Sequence, residues 1–218
     1  MKKNYLLIIA IISVLNFSCT KYVDTPLPGD QLVSELVFTD DKTATAAVTG
    51  VYANMNAFNY QFANVLISYL SAMQADDLQY AAAFANYDVF RNNTLLPSSQ
   101  YVNAYWSSLY SYIYQANSCI DGLTAATGLS PSVKNHLLGE AYFQRAFFYF
   151  YLVNMYGDVP LITTTNYAEN NLKHRDPQQE VYAKIISDLT EAKSLMSDEY
   201  PSTTKFRPNK AAATALLA

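Results

Sequence analysis

Residues able to recognise a ligand are concentrated in one polar and aromatic stretch: Asp76, Asp77, Tyr80, Asn86, Tyr87 and Arg91. A pyranose ring presents a flat CH face and a rim of hydroxyls. Tyrosine rings supply the matching apolar plane, while carboxylates, an amide and a guanidinium supply partners for the rim. The same residues do not make a hydrolytic centre. Glycoside hydrolysis needs two carboxyl groups opposed across the scissile bond. Asp76 and Asp77 are adjacent, so their side chains diverge in helical or extended backbone alike. The sequence holds no serine elbow, phosphate loop or metal-protease motif, and an enzyme is not expected. Two histidines, His136 and His174, and two cysteines, Cys19 and Cys119, lack the paired spacing of a structural zinc site. No metal and no cofactor is expected.

These side chains need a scaffold, and the segment that carries them, 59–98, gives a mixed pattern. Leu66, Leu70 and Met73 predict a helical piece before it. Beyond that piece, Tyr80, Phe84 and Tyr87 alternate with small and amide residues. A long irregular segment in a compact domain often carries function. The alternative is a short helix and a loop in which each of the six is a surface or packing residue.

The scaffold itself is legible in the run 140–161. From Ala141 to Val153 only Gln144 and Arg145 are strongly polar. A helix apolar all round must be enclosed by other elements. A buried strand is the competing reading, but the pattern begins at Val133 and reaches Tyr156, far beyond strand length. Ser130 and Pro131 suit a helix start, and Gly157 and Pro160 a stop. The spacing predicts a central helix over Pro131–Tyr156. Arg145 lies inside it, where an unpaired charge is expensive. Glu140, Asp158 or helix-end carbonyls are its nearest partners in sequence, and its role is structural.

Flanking segments carry the same period. Thr39 or Asp40 can cap a helix bearing Ala44, Ala47, Val48, Val51, Tyr52 and Met55. After Ser99, the residues Val102, Tyr105, Trp106, Leu109, Ile113, Ala116 and Ile120 share a face, and Gly122 reads as the stop. Cys119 reads as a small apolar filler within that helix. A linker follows over 161–175. Asp176, Pro177 and Gln179 resemble a capping-box start for a stripe of Val181, Ile185, Leu189, Ala192 and Met196, which Pro201 closes. A last helix starts after Lys205, and its Leu216 and Leu217 have no visible partner helix downstream, as if the sequence were truncated. Successive helix pairs predict a stacked helical array.

At the amino end, Lys2 and Lys3 precede an apolar run, Tyr5 to Leu15, that is short for a bilayer span. Ser18-Cys19 behind it resembles a bacterial lipoprotein signal, although Asn16 and Phe17 depart from the usual residues. On that reading residues 1–18 are a removed signal peptide and Cys19 is lipidated. Residues 19–38 form a tether containing Pro26, Pro28 and Gly29, and 39–218 form the helical domain. A chain of 218 residues, 51% hydrophobic, can bury a sizeable core. Nineteen tyrosines leave material for a wet binding face as well. The net charge of −4 argues against nucleic acid as a partner.

The run Arg145-Ala-Phe-Phe-Tyr-Phe-Tyr-Leu-Val-Asn-Met-Tyr-Gly-Asp-Val-Pro-Leu161 closely resembles the signature of the SusD/RagB outer-membrane lipoproteins. Trp106-Ser-Ser-Leu-Tyr110 with Ala116-Asn117 is similar to the preceding family helix. Glu180-Val-Tyr with Ile185-Ile186 and Asp188-Leu189 is similar to the following one, and Arg207-Pro-Asn-Lys-Ala-Ala-Ala to the next. The likeness covers the amino-terminal part of a longer family protein. It implies an all-α, tetratricopeptide-like helical repeat scaffold at the outer membrane, truncated at its C-terminus and facing the cell exterior. It implies capture of glycans for a SusC-type TonB-dependent transporter, or of oligopeptides in the RagB manner. It also implies that the loop bearing the six residues contacts ligand. The competing function is a helical-repeat adaptor that binds only protein, with tyrosines as interface anchors.

Overall fold

In a computed structural model of the chain, residues 37–56, 62–79, 81 and 86–218 are described. Cys19 and Tyr80 lie outside them. Helix α1 spans Asp41–Met55. Asp40 starts it, accepting hydrogen bonds from the backbone N–H groups of Lys42 (2.9 Å) and Thr43 (3.1 Å). The bonds from Thr43 hold the Asp40 carboxyl below its ordinary pKa. A π-helical segment, Phe62–Leu70, runs directly into α2, Ser71–Gln74. The short α3, Asp88–Arg91, precedes two long helices, α4 (Gln100–Ala125) and α5 (Pro131–Tyr156). After the turn-like α6 (Tyr167–Asn170) come α7 (Gln178–Leu195) and α8 (Lys210–Leu217). Among the described residues the only sheet-like pairing is one isolated bridge, Val159 to Asp176.

The predicted bounds of the central helix coincide with α5. It is enclosed as its composition requires: α4 packs on one side, α7 on another, and α1 also touches it. Leu137, Ala141, Ala146, Phe148, Tyr149, Leu152 and Val153 are buried, while Phe147, Phe150 and Tyr151 pack partly covered at the core's edge. At its end Gly157 takes φ +71°, a conformation that side chains with a Cβ rarely adopt. Leu66, Leu70 and Met73 are fully buried, as their spacing predicts. The stripe Val181, Ile185, Leu189 and Ala192 of α7, with Met196 at its end, is buried too.

Three expectations need correction. Gly122 does not stop α4, which continues to Ala125. It is a seat: a Cβ there would lie 2.2 Å from the Phe38 ring, so glycine lets that ring lie against the helix. Phe38, read as the end of a tether, thus packs on the cluster formed by Val48, Leu123 and Leu137. Asp176 does not cap α7. Its carboxylate accepts from the Leu161 N–H at 2.7 Å, and Asp158 takes the capping role, accepting from Gln178 N–H at 3.1 Å. Leu216 and Leu217 take their contacts from upstream, where α8 packs on α7 and both leucines touch the main core.

The third correction concerns Arg145, which is 3% exposed. Its partner is neither Glu140 nor Asp158 but Asp188 on α7, met by Nε and one terminal nitrogen, both at 2.8 Å. The second terminal nitrogen donates to Asn117 Oδ1 on α4 at 2.9 Å. Lys184 Nζ adds a second cation to Asp188 at 2.9 Å. Glu140, fully buried, is instead gripped by Arg207, with contacts of 2.5 to 3.1 Å. The structural role predicted for Arg145 stands, but its geometry joins three helices.

Candidate functional site

The predicted recognition stretch leaves the core at the end of α2. The N–H groups of Asp77 and Leu78 both reach back to the Ala72 carbonyl, at 2.8 and 3.2 Å. Asp76, immediately before them, takes φ +63°. The stretch rejoins the fold after α3, where Asn93 takes φ +52° and its side-chain amide donates to the Gln74 carbonyl at 3.3 Å. Asp and Asn tolerate the left-handed region better than other residues with a Cβ. Departure and return are therefore pinched together.

The five described members of the predicted six fall into two groups. Asp76 and Asp77 are exposed at the departure. Asn86, exposed, and Tyr87, half-buried, lead into α3, where exposed Arg91 pairs with Asp88 at 2.9 Å. The Tyr87 ring meets Tyr69 (centroids 6.0 Å apart) and Tyr101 (6.1 Å) edge-on or tilted, so it serves packing as well as any ligand.

A cavity of about 600 Å³ lies beside this loop, within the usual range for small-molecule sites. Ser71 and Gln74 of α2 and Phe90 of α3 form one wall, and Tyr105, Asn154 and Arg175 lie among the other lining residues. None of the five described members of the predicted six lines it; the cavity is bounded by the elements that flank them. Tyr105 fixes the floor. Its hydroxyl donates to the Leu66 carbonyl and lies 3.0 Å from Ser71 Oγ, and burial pushes its pKa up to about 12. The arrangement offers apolar wall, amides and a guanidinium, which suits holding a polyhydroxylated molecule. Gln74 and Asn154 could have been suspected as polar residues at helix ends; nothing in the sequence marks Arg175. Among the described residues no group of three or more His, Cys, Asp or Glu is placed to hold a metal ion. No helix among them is long and apolar enough to cross a membrane.

The family model for SusD-like proteins, described as starch-binding and associating with the outer membrane, matches residues 32–218. The chain belongs to the SusD-like family. It is 29% identical over 218 residues to SusD-like protein P2 of Formosa agariphila, covering 99% of this chain and 42% of that protein. A SusD-like protein of Bacteroides ovatus is 26% identical over 219 residues, covering 99% and 38%. The SusD-like chain thus spans about two fifths of the length of these curated relatives. Among solved structures, a SusD homolog from Bacteroides thetaiotaomicron superposes with TM-score 0.71 at 23% identity, covering 84% of this chain and 36% of its own. A laminarin-binding SusD-like protein superposes with TM-score 0.68 at 26% identity, covering 83% and 39%. The all-α SusD-like scaffold read from the 145–161 run is the fold observed, and its carbohydrate-binding family is the one that run resembles.

Proposed function

We propose that the protein captures carbohydrate at the outer membrane and passes it to a SusC-type TonB-dependent transporter. The match to a family described as starch-binding across residues 32–218 carries this reading. The loop and neighbouring cavity support it, because they pair aromatic surface with amides, carboxylates and guanidinium groups. In this reading Asp76, Asp77, Tyr80, Asn86, Tyr87 and Arg91 contact the ligand, and the protein binds without hydrolysing. Residues 1–18 direct export, Cys19 carries the lipid, 19–38 tether the domain, and 39–218 are the amino-terminal part of a longer binding protein on the cell exterior.

Isothermal titration of the full-length protein with maltoheptaose, laminarihexaose and a panel of oligopeptides tests the reading. Saturable glycan binding, lost when Tyr80 and Tyr87 are both changed to Ala, supports it. Binding of peptides alone reassigns the cargo to the RagB type. Binding of neither, with the transporter still co-purifying, makes the protein an adaptor. Incorporation of labelled palmitate that disappears in Cys19→Ala tests the anchor separately.

A further inference from the structure

A second cleft, of about 340 Å³, opens between the outer face of α4 and the 160–173 segment, with none of the described predicted residues (Asp76, Asp77, Asn86, Tyr87, Arg91) in its lining. Trp106 and Tyr110 form its floor, and Tyr114 and Tyr167 stand at its edges. Tyr114 is 53% exposed and Tyr167 79% exposed. With Trp106 and Tyr110 between them, these open rings make one exposed aromatic patch, which calls for an explanation as isolated exposed rings would not.

The cleft is rigid where ligand recognition needs rigidity. Trp106 is fixed by edge contact with Tyr156 (5.1 Å), tilted contact with Tyr110 (4.9 Å) and the Arg175 guanidinium 5.0 Å from its ring. The opposite wall is tied from beneath. Tyr110 OH donates to the Pro160 carbonyl at 2.8 Å, and Asn117 Nδ2 to the Ile162 carbonyl at 3.1 Å. Asn170 Nδ2 donates to the Thr164 carbonyl at 2.8 Å. By contrast, the side-chain polar groups of Tyr114, Tyr167, Asn171 and Lys173 make no hydrogen bond or ion pair among the described residues. The frame is satisfied and the rim is not. Unpaired hydroxyl, amide and ammonium groups around exposed ring faces match the alternating faces and edges of a hexose. An interface core for protein would be depleted in lysine and richer in paired groups.

We propose that this cleft is a second carbohydrate subsite, in which Tyr114 and Tyr167 cover a hexose ring whose hydroxyls are met by Asn171 and Lys173. The inference rests on the carbohydrate-capture reading. It assigns the long-chain part of an oligosaccharide a contact away from the 76–91 loop.

The test uses the full-length protein and maltoheptaose, with laminarihexaose in parallel. Both tyrosines are exposed, so Tyr114→Ala/Tyr167→Ala should fold with an unchanged melting temperature. The variant is expected to bind the better heptamer or hexamer about tenfold more weakly, while affinity for the corresponding disaccharide stays the same. Hydroxyl-radical footprinting should label Tyr114 and Tyr167 in the free protein and show them protected by the oligosaccharide. Unchanged oligosaccharide affinity in this variant, with binding lost in Tyr80→Ala/Tyr87→Ala, overturns the second subsite and leaves the capture reading intact. Absence of labelling in the free protein overturns it too, because the remaining part of the protein then covers the cleft. Loss of transporter co-purification with glycan affinity retained assigns the face to a protein and overturns it likewise. If wild type binds neither sugar, both proposals fall.

Discussion

Arg145 on α5 and Asp188 on α7 meet through two parallel hydrogen bonds of 2.8 Å, with both side chains almost wholly excluded from water. Such a pair need not stabilise a fold more than well-packed apolar residues would, but breaking it strands a charge. Its two halves are not equivalent. Removing Arg145 leaves Asp188 with Lys184, whereas removing Asp188 leaves the guanidinium with no anion beside it, held by Asn117 Oδ1, the Thr163 carbonyl and the Tyr142 ring.

Asp188→Ala is therefore expected to cost about 3–5 kcal/mol of stability. Arg145→Met should cost less, and Arg145→Met/Asp188→Leu less than Asp188→Ala alone. Urea denaturation checks this as a falling midpoint with an unchanged slope. Equal costs for the two single variants would mean that Lys184 does not compensate.

A second buried pair makes stability depend on pH. His136 lies 3.7 Å from the buried Glu140 carboxylate, which Arg207 occupies. Burial lowers the His136 pKa below its ordinary 6.5; Glu140 opposes this and Arg207 reinforces it. A base with a lowered folded pKa binds fewer protons when folded than when unfolded. Its contribution is thus complete above pH 6.5 and lost as the pH falls toward the folded value. The midpoint of denaturation should fall between pH 7 and pH 5, and less steeply in His136→Gln. In Arg207→Ala the histidinium can pair with Glu140, so the acid slope should flatten although the variant is weaker throughout.

Gly139 marks the close approach of α5 and α7. A Cβ there would stand 2.7 Å from Met196 Cγ and 3.1 Å from the Ala192 carbonyl. Gly139→Val is expected to push the helices apart and cost about 1–3 kcal/mol, read as a lower melting temperature. Gly50 has open space around the same position, and Gly50→Ala should be neutral or slightly stabilising.

Cys119 is buried, and burial raises its thiol pKa to about 12. Almost no thiolate exists at pH 8, and the sulfur is out of reach. Iodoacetamide should leave Cys119 unmodified in the native protein and alkylate it in urea at the same pH. Native-state labelling at the unfolded rate would show that the surrounding core opens readily.

How much of this was legible in sequence depended on distance along the chain. The ends of α5 are marked by neighbours, Ser130 with Pro131 and Gly157 with Pro160, so they could be read. The partner of Arg145 lies 43 residues away, and proximity suggested Glu140 and Asp158 instead. A better signal was present: Asp188 falls on the same helical face as Val181, Ile185 and Ala192, and a carboxylate in an apolar stripe needs a buried cation. Gly122 misled because a helix stop and a close aromatic contact call for the same residue. The recognition loop was the least legible part. Its residues were chosen by type, and the cavity beside it is assembled from α2, α3, α4 and the end of α5, which no local pattern reports.

The tyrosine hydroxyls of the core share one habit. Those of Tyr105, Tyr110, Tyr112, Tyr149 and Tyr156 donate to main-chain carbonyls, at Leu66, Pro160, Asn54, Ile162 and Val102. A carbonyl is present whatever side chain accompanies it. Descendants of this chain can therefore exchange residues at positions such as 162 and keep the same path through space. The framework can hold still while its outward-facing side chains change.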